Sequence, residues 1–132
     1  MKNFLQRLHN ILIWLPILWR DRDWDFGFLL RILQFKISRM RQYQQKYGLS
    51  TYQRQELIAH KMRTCELLIE RLLSEDYIKD WAQPDWRTWP RELTEQEERD
   101  MRAALDHGNK MRRQDEDLLF TILRKHYRNW WD

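Results

Sequence analysis

The 132-residue chain predicts an all-α fold, a helical bundle built on an antiparallel helical hairpin with a Trp-rich connecting loop. Three observations carry that expectation. Glycine and proline supply only three residues each while charged residues make up 33%, which disfavours turn-dense sandwiches and barrels. Apolar residues recur at three- and four-residue intervals over long stretches. Capping signals precede the periodic segments. The length suits one domain over residues 1–132, large enough to bury a core without disulfides or metals.

The first helix is expected over residues 3–14, ending before Pro16, because the residue ahead of a proline is driven out of the helical region. Lys2 and Arg7 followed by the run "ILIWLPILW" imitate a signal peptide, but "RDRDWD" follows where a small-residue cleavage site would stand. The run also falls well short of the roughly 20 apolar residues of a membrane span. A membrane is therefore not an expected partner, and a helix lying on a bilayer surface is the alternative.

Residues 17–30, "ILWRDRDWDFGFLL", pack Asp21, Asp23 and Asp25 among arginines and tryptophans. The D-x-D-x-D spacing imitates the opening of a calcium loop. Such a loop needs Gly at its sixth position and a bidentate Glu at its twelfth, where this chain has Phe26 and Ile32. Helix capping is the better account: a carboxylate ahead of a helix accepts backbone N–H bonds, while Trp19 and Trp24 anchor the connection. One aspartate suffices for a cap, which leaves the others for contact with a partner.

A helix over residues 25–47 carries the stripe Phe26, Leu29, Leu30, Leu33, Ile37, Met40 and Tyr47. Gly48 is placed as a left-handed C-terminal residue, and Ser50 or Thr51 caps the next helix, residues 51–74, with stripe Ile58, Met62, Cys65, Ile69 and Leu72. Phe28, Ile32 and Phe35 form a second apolar face on the first of these helices. That helix is therefore either central in the bundle or self-associates through Phe28, Ile32 and Phe35. Residues 77–93 hold Pro84, Pro90, Trp81, Trp86 and Trp89, and are expected to fold back over the bundle end, a Trp-lined ligand site being the alternative. Thr94 and Glu97 form a capping box for a last helix over residues 95–128, which is continuous unless Gly108-Asn109 breaks it. Arg112 and Asp115 fall on its apolar stripe. Either they pair there, or the stripe surfaces.

From Arg31 to Arg63 the chain holds eight Lys/Arg (Arg31, Lys36, Arg39, Arg41, Lys46, Arg54, Lys61, Arg63) against one acid, Glu56, a net +7; the remainder carries −3. Interleaved with Tyr43, Tyr47 and Tyr52, these cations suit phosphates, although many are expected to be solvated or to pair with the acidic last helix. The four histidines lack metal-ligand spacing, and Glu56 with His60 is ordinary i, i+4 helix pairing. No Gly-rich phosphate loop, nucleophile elbow or Cys–His pair is present. The expectation is a non-enzymatic protein with no cofactor and no metal. A lone cysteine, Cys65, makes no internal disulfide and suits a reducing compartment.

"LWRDRDWDFGFLLRILQFKISRMRQY" and the closing "LRKHYRNWWD", about 36 residues together, resemble a family of small proteins encoded by tailed bacteriophages. Its members show a Trp/Asp segment opening a long helix, a Lys/Arg-Met-x-x-Tyr continuation and a Trp-Trp-Asp end. The resemblance implies a viral protein acting in the host bacterial cytoplasm, and it brings no activity to carry onto these residues. Small phage proteins of this size often disarm host defences. The leading expectation is a homo-oligomeric counter-defence protein that sequesters a phosphorylated, nucleotide-like ligand. Trp19, Arg20, Arg22, Trp24, Lys36, Arg39, Arg41, Tyr43, Arg112, Trp130 and Trp131 are the candidates to hold phosphate or stack on a base. The alternative is an inhibitor that docks on a host defence protein or nuclease complex; a third is non-specific nucleic-acid binding.

Overall fold

The computed structural model describes residues 2–20, 25–47, 52–74, 77, 78 and 93–130. Among them every element is helical: α1 (Lys2–Leu18), α2 (Phe26–Tyr47), α3 (Tyr52–Ser74), α4 (Glu95–His126) and a 3-10 turn, Tyr127–Trp130. Gly48, Ser50 and Thr51 of the expected hairpin turn lie outside the described residues. So do Asp21, Arg22, Asp23, Trp24, Trp81, Pro84, Trp86, Trp89, Pro90 and Trp131.

α3 is the central helix, packing on α2 on one side and α4 on the other. All five residues of its expected stripe are buried, and Met62, Cys65 and Ile69 are fully so. Ile37 and Leu119 face them from α2 and α4, with Leu30, Leu33, Met40, Ile122 and Leu123 packed around. Burial raises the Cys65 thiol to about 11, helped by the adjacent Glu66 carboxylate, so the group is an inert core residue. On α2 the stripe needs correction at both ends, where Leu29 and Tyr47 stay exposed. At 100° per residue these two, five full turns apart, share one angular position on a single flank of the Leu30–Leu33–Ile37–Met40 face.

α2 is not central, yet its second face is not left bare. Phe28 is buried within the chain, and the Phe35 ring meets Trp14 of α1 edge-on at 4.9 Å. Ile32 is half-buried between them. α1 itself runs on to Leu18, past the expected end at residue 14. Pro16 sits in its last turn, where it forfeits a single bond, that to the Leu12 carbonyl, and Trp19 N–H still reaches the Leu15 carbonyl at 2.8 Å.

At the start of α2, Asp25 Oδ1 accepts the Gly27 N–H at 2.9 Å, so Asp25 serves as the expected cap. The α4 capping box forms in both directions: Thr94 Oγ1 accepts the Glu97 N–H at 3.3 Å, and Glu97 Oε2 accepts the Thr94 N–H at 2.9 Å.

Gly108-Asn109 does not break α4, which is continuous over 32 residues. The glycine is required for another reason. A Cβ on Gly108 would lie 3.1 Å from the Tyr77 carbonyl oxygen and 3.0 Å from Ile78 Cγ1, so the chain leaving α3 rests directly on the helix backbone. Asp115, one of the two charges on the stripe, is buried. Its Oδ2 accepts the Tyr77 hydroxyl at 2.7 Å and Arg71 Nη2 at 3.2 Å, while Arg112 Nε reaches Glu116 Oε1 at 3.5 Å. Burial first, then the Asp115 hydrogen bond, push the Tyr77 hydroxyl above its ordinary pKa and keep it a donor.

The crossing sets a test. Gly108→Ala gains about 1 kcal/mol of helix propensity, but it meets unyielding backbone, and overpacking costs about 1–3 kcal/mol. Calorimetry should show the thermal midpoint lowered by about 2–5 °C, whereas alanine at the exposed neighbour Asn109 should raise it slightly.

Candidate ligand-binding groove

The second half of α2 continues a face of the first half but changes its chemistry. Phe28, Ile32 and Phe35 line one helical face, and the same face continues as Arg39, Tyr43, Lys46 and Tyr47. An apolar strip that meets α1 at Phe35 thus becomes a basic and aromatic one within a single helix. Lys46 Nζ lies 5.0 Å from the Tyr47 ring centre and Arg39 Cζ 5.9 Å from that of Phe35. The Tyr43 and Tyr47 rings lie 5.0 Å apart.

Two hollows open on this face. One, of about 450 Å³, is bounded by Ile13, Phe35, Ser38, Arg39, Gln42, Tyr43, Lys46 and Tyr47. The other, of about 300 Å³, is bounded by Lys36, Arg39, Met40, Tyr43, Gln44 and Trp130. Arg39 and Tyr43 are common to both and form the ridge between them. Among the described residues no carboxylate lines either hollow, so the local field is positive.

The orientation of this face is set from the opposite side of α2. Glu66, buried on α3, accepts Arg41 Nε at 2.8 Å and Arg41 Nη2 at 3.2 Å in a bidentate pair, and Arg63 Nη1 at 3.0 Å. Its backbone carbonyl also takes the Gln34 amide at 3.3 Å. With Arg41 turned toward α3, residues two before and two after it are carried to the far side of the helix.

Trp130 closes the second hollow. Its carbonyl accepts the Gln44 amide at 2.8 Å, tying the 3-10 turn to α2, and its ring is 3% exposed. The buried indole N–H has no hydrogen-bond partner among the described residues, a state that costs about 1–3 kcal/mol. On the other side of Trp130 a small cleft of about 100 Å³ is lined by Arg54, Lys61 and His126, with Leu57, Ile58 and Asn129. Lys61 Nζ stands 3.3 Å from His126 Nδ1. An ammonium only donates, so this nitrogen is the acceptor of a neutral ring. Desolvation, then the Lys61 and Lys125 charges, hold the His126 pKa below its ordinary value.

Of the candidate ligand residues, the structure therefore brings together Lys36, Arg39, Tyr43 and Trp130. Arg41 is committed to Glu66 and Arg112 pairs with Glu116 on α4, while Trp19 and Arg20 stand exposed at the exit of α1. Lys46 and Tyr47, which the sequence placed in the phosphate-suited basic hairpin without naming them as ligand candidates, join the site, and so does Gln44, which it did not single out. Glu66 was missed altogether, yet it stands four residues after Met62 and three before Ile69, which puts it on the apolar stripe of α3. Among the described residues no three His, Cys, Asp or Glu side chains are grouped to hold a metal ion. Comparisons with protein families, curated proteins and solved structures return no match to this chain.

Two measurements follow. Glu66→Ala leaves Arg41, whose side chain is 20% exposed, without its carboxylate, and urea unfolding should show a loss of about 3 kcal/mol, the lower end for a broken buried pair. For His126 the unfolded state binds a proton that the folded state resists, so its contribution is fully present above about pH 7 and falls as acid takes the solution below the ordinary value of 6.5. Stability should drop less between pH 7.5 and pH 5.5 in His126→Gln than in the parent, and equal drops would remove His126 as a cause.

Proposed function

We propose that the protein is a non-enzymatic binding module that holds a phosphorylated aromatic ligand, a nucleotide or a close relative, on the α2 face. The observation that carries this function is the Arg39–Tyr43 ridge, where a guanidinium and a phenol ring one helical turn apart border two hollows lined by further cations and no carboxylate among the described residues. Arg39 offers a planar fork suited to two phosphate oxygens, and Lys36 and Lys46 supply additional charge in the two hollows. Tyr43 and Tyr47 provide faces for stacking a base, an interaction that tolerates different bases. The volumes fall in the range of small-molecule sites.

The resemblance to tailed-phage proteins supports the cytoplasm of a bacterial host as the place where this module would act. It makes a defence-related nucleotide signal the first ligand to examine. Sequestration needs only affinity, which fits a site built from stacking and phosphate-binding groups without a nucleophile or general base.

Isothermal titration against nucleoside mono-, di- and triphosphates and cyclic dinucleotides tests the proposal. At least one should bind, with affinity falling as salt rises. Arg39→Ala should weaken it by about 10- to 100-fold, the worth of hydrogen bonds to a charged group, and Arg20→Ala should leave it unchanged. Failure of the whole panel to bind would refute the assignment.

A further inference from the structure

α1 carries an apolar stripe that none of the described residues covers. Phe4, Leu5, Leu8, Ile11, Leu12, Leu15 and Leu18 are all exposed, Phe4 by 70% and Ile11 by 60%, and Trp19 just beyond them is 83% exposed. At 100° per residue these eight positions fall within about 140° of the helix circumference, with no polar residue among them. The opposite side is the one that touches the protein: Ile13, Trp14 and Ile17 are half-buried there, and Trp14 meets Phe35. The stripe therefore points away from the body along the whole of α1, about 26 Å at 1.5 Å per residue.

We infer that this stripe docks α1 flat on an anionic lipid bilayer, as a surface-lying helix. Charge complementarity selects that occupant. Residues 2–20 contain Lys2, Arg7 and Arg20 and no Asp or Glu, the first acids of the chain, Asp21, Asp23 and Asp25, following beyond the end of the stripe, and Arg7 borders the stripe with His9 on its other side. Apolar side chains entering the acyl boundary with cations at the headgroup level is the arrangement by which amphipathic helices bind anionic membranes. Trp19 brings an amphipathic ring suited to the interface. A second α1 laid on the stripe would bring more cations and no carboxylate to meet them, and a helix pair needs a narrower seam than this one. Among the described residues no helix is long and apolar enough to cross a membrane, so α1 lies on the surface and does not span it. The sequence, read with the helix ending at residue 14, left a surface-lying helix as the alternative to no membrane contact; continued through Pro16, the stripe gains Leu15, Leu18 and Trp19.

This docking is independent of the ligand groove, which lies on α2, and its test keeps the two apart. The full chain is sedimented with vesicles of phosphatidylcholine alone and of equal parts phosphatidylcholine and phosphatidylglycerol. Binding is expected to the second and not the first, and to weaken with salt. Leu8→Glu combined with Leu12→Glu should reduce bound protein at least tenfold; both sites are exposed, so the circular dichroism spectrum and thermal midpoint should match the parent. Arg39→Ala should bind vesicles as the parent does. Three results would each overturn the inference: no sedimentation with either vesicle, loss in Arg39→Ala alone, which would assign headgroup capture to the groove, or a dimer in analytical ultracentrifugation that the double variant dissolves without any lipid binding.

Discussion

One carboxylate fixes the geometry on which the rest of the molecule depends. Glu66 is 4% exposed, and it is stabilised there only because Arg41 meets it with a two-pronged pair and Arg63 with a third bond. Apolar packing between α2 and α3 would tolerate some rotation of one helix about its axis, since Ile37, Leu33 and Met40 are interchangeable in kind. The planar guanidinium–carboxylate pair does not, because its two bonds have one relative orientation. A buried charge left unpaired is far costlier than the pair is beneficial, so the interaction acts less as a source of stability than as a selector of register. The outward direction of Arg39 and Tyr43 follows from it.

A second polar anchor performs the corresponding task between α3 and α4. Asp115 is approached by Arg71 from the last turns of α3 and by the Tyr77 hydroxyl from the segment just after it. That segment reaches Asp115 by crossing α4 at Gly108, where the missing side chain allows backbone to lie on backbone. The two features belong together. Without the close crossing Tyr77 would not be held over α4, and without Tyr77 the Asp115 carboxylate would rely, among the described residues, on Arg71.

The fold class was legible because helical periodicity and capping chemistry are local. The stripe of α3, the Asp25 cap and the Thr94–Glu97 box all rest on residues within a turn or two of each other, and the structure reproduces each. What escaped depended on neighbours distant in the chain. Pro16 reads as a terminator by local rules, yet a helix that ends two residues later loses only one bond to it. Gly108-Asn109 reads as a turn until Tyr77 is seen pressing on the glycine. The partner of Asp115 was sought one helical turn away, at Arg112, whereas Tyr77 and Arg71 approach it from elsewhere in the sequence. For the groove, Lys36, Arg39 and Tyr43 could be singled out as basic and aromatic residues sharing a helix. That Arg41 would be withdrawn into the core, and that Trp130 would arrive from the far end of the chain, required the tertiary contacts with Glu66 and Gln44.

The change of character along one face of α2, from Phe28, Ile32 and Phe35 to Arg39, Tyr43, Lys46 and Tyr47, has a consequence for how such a chain can vary over generations. Apart from the buried Phe28, side chains on this face can be exchanged one at a time, because they are partly exposed or border an open groove. The length of the helix cannot. A single inserted or deleted residue between Phe35 and Arg39 would turn everything after it by about 100°, swinging the groove residues out of line with the face under α1 and pulling Arg41 away from Glu66. Descendants are therefore free to alter what the groove recognises by substitution, while the spacing that presents it stays frozen.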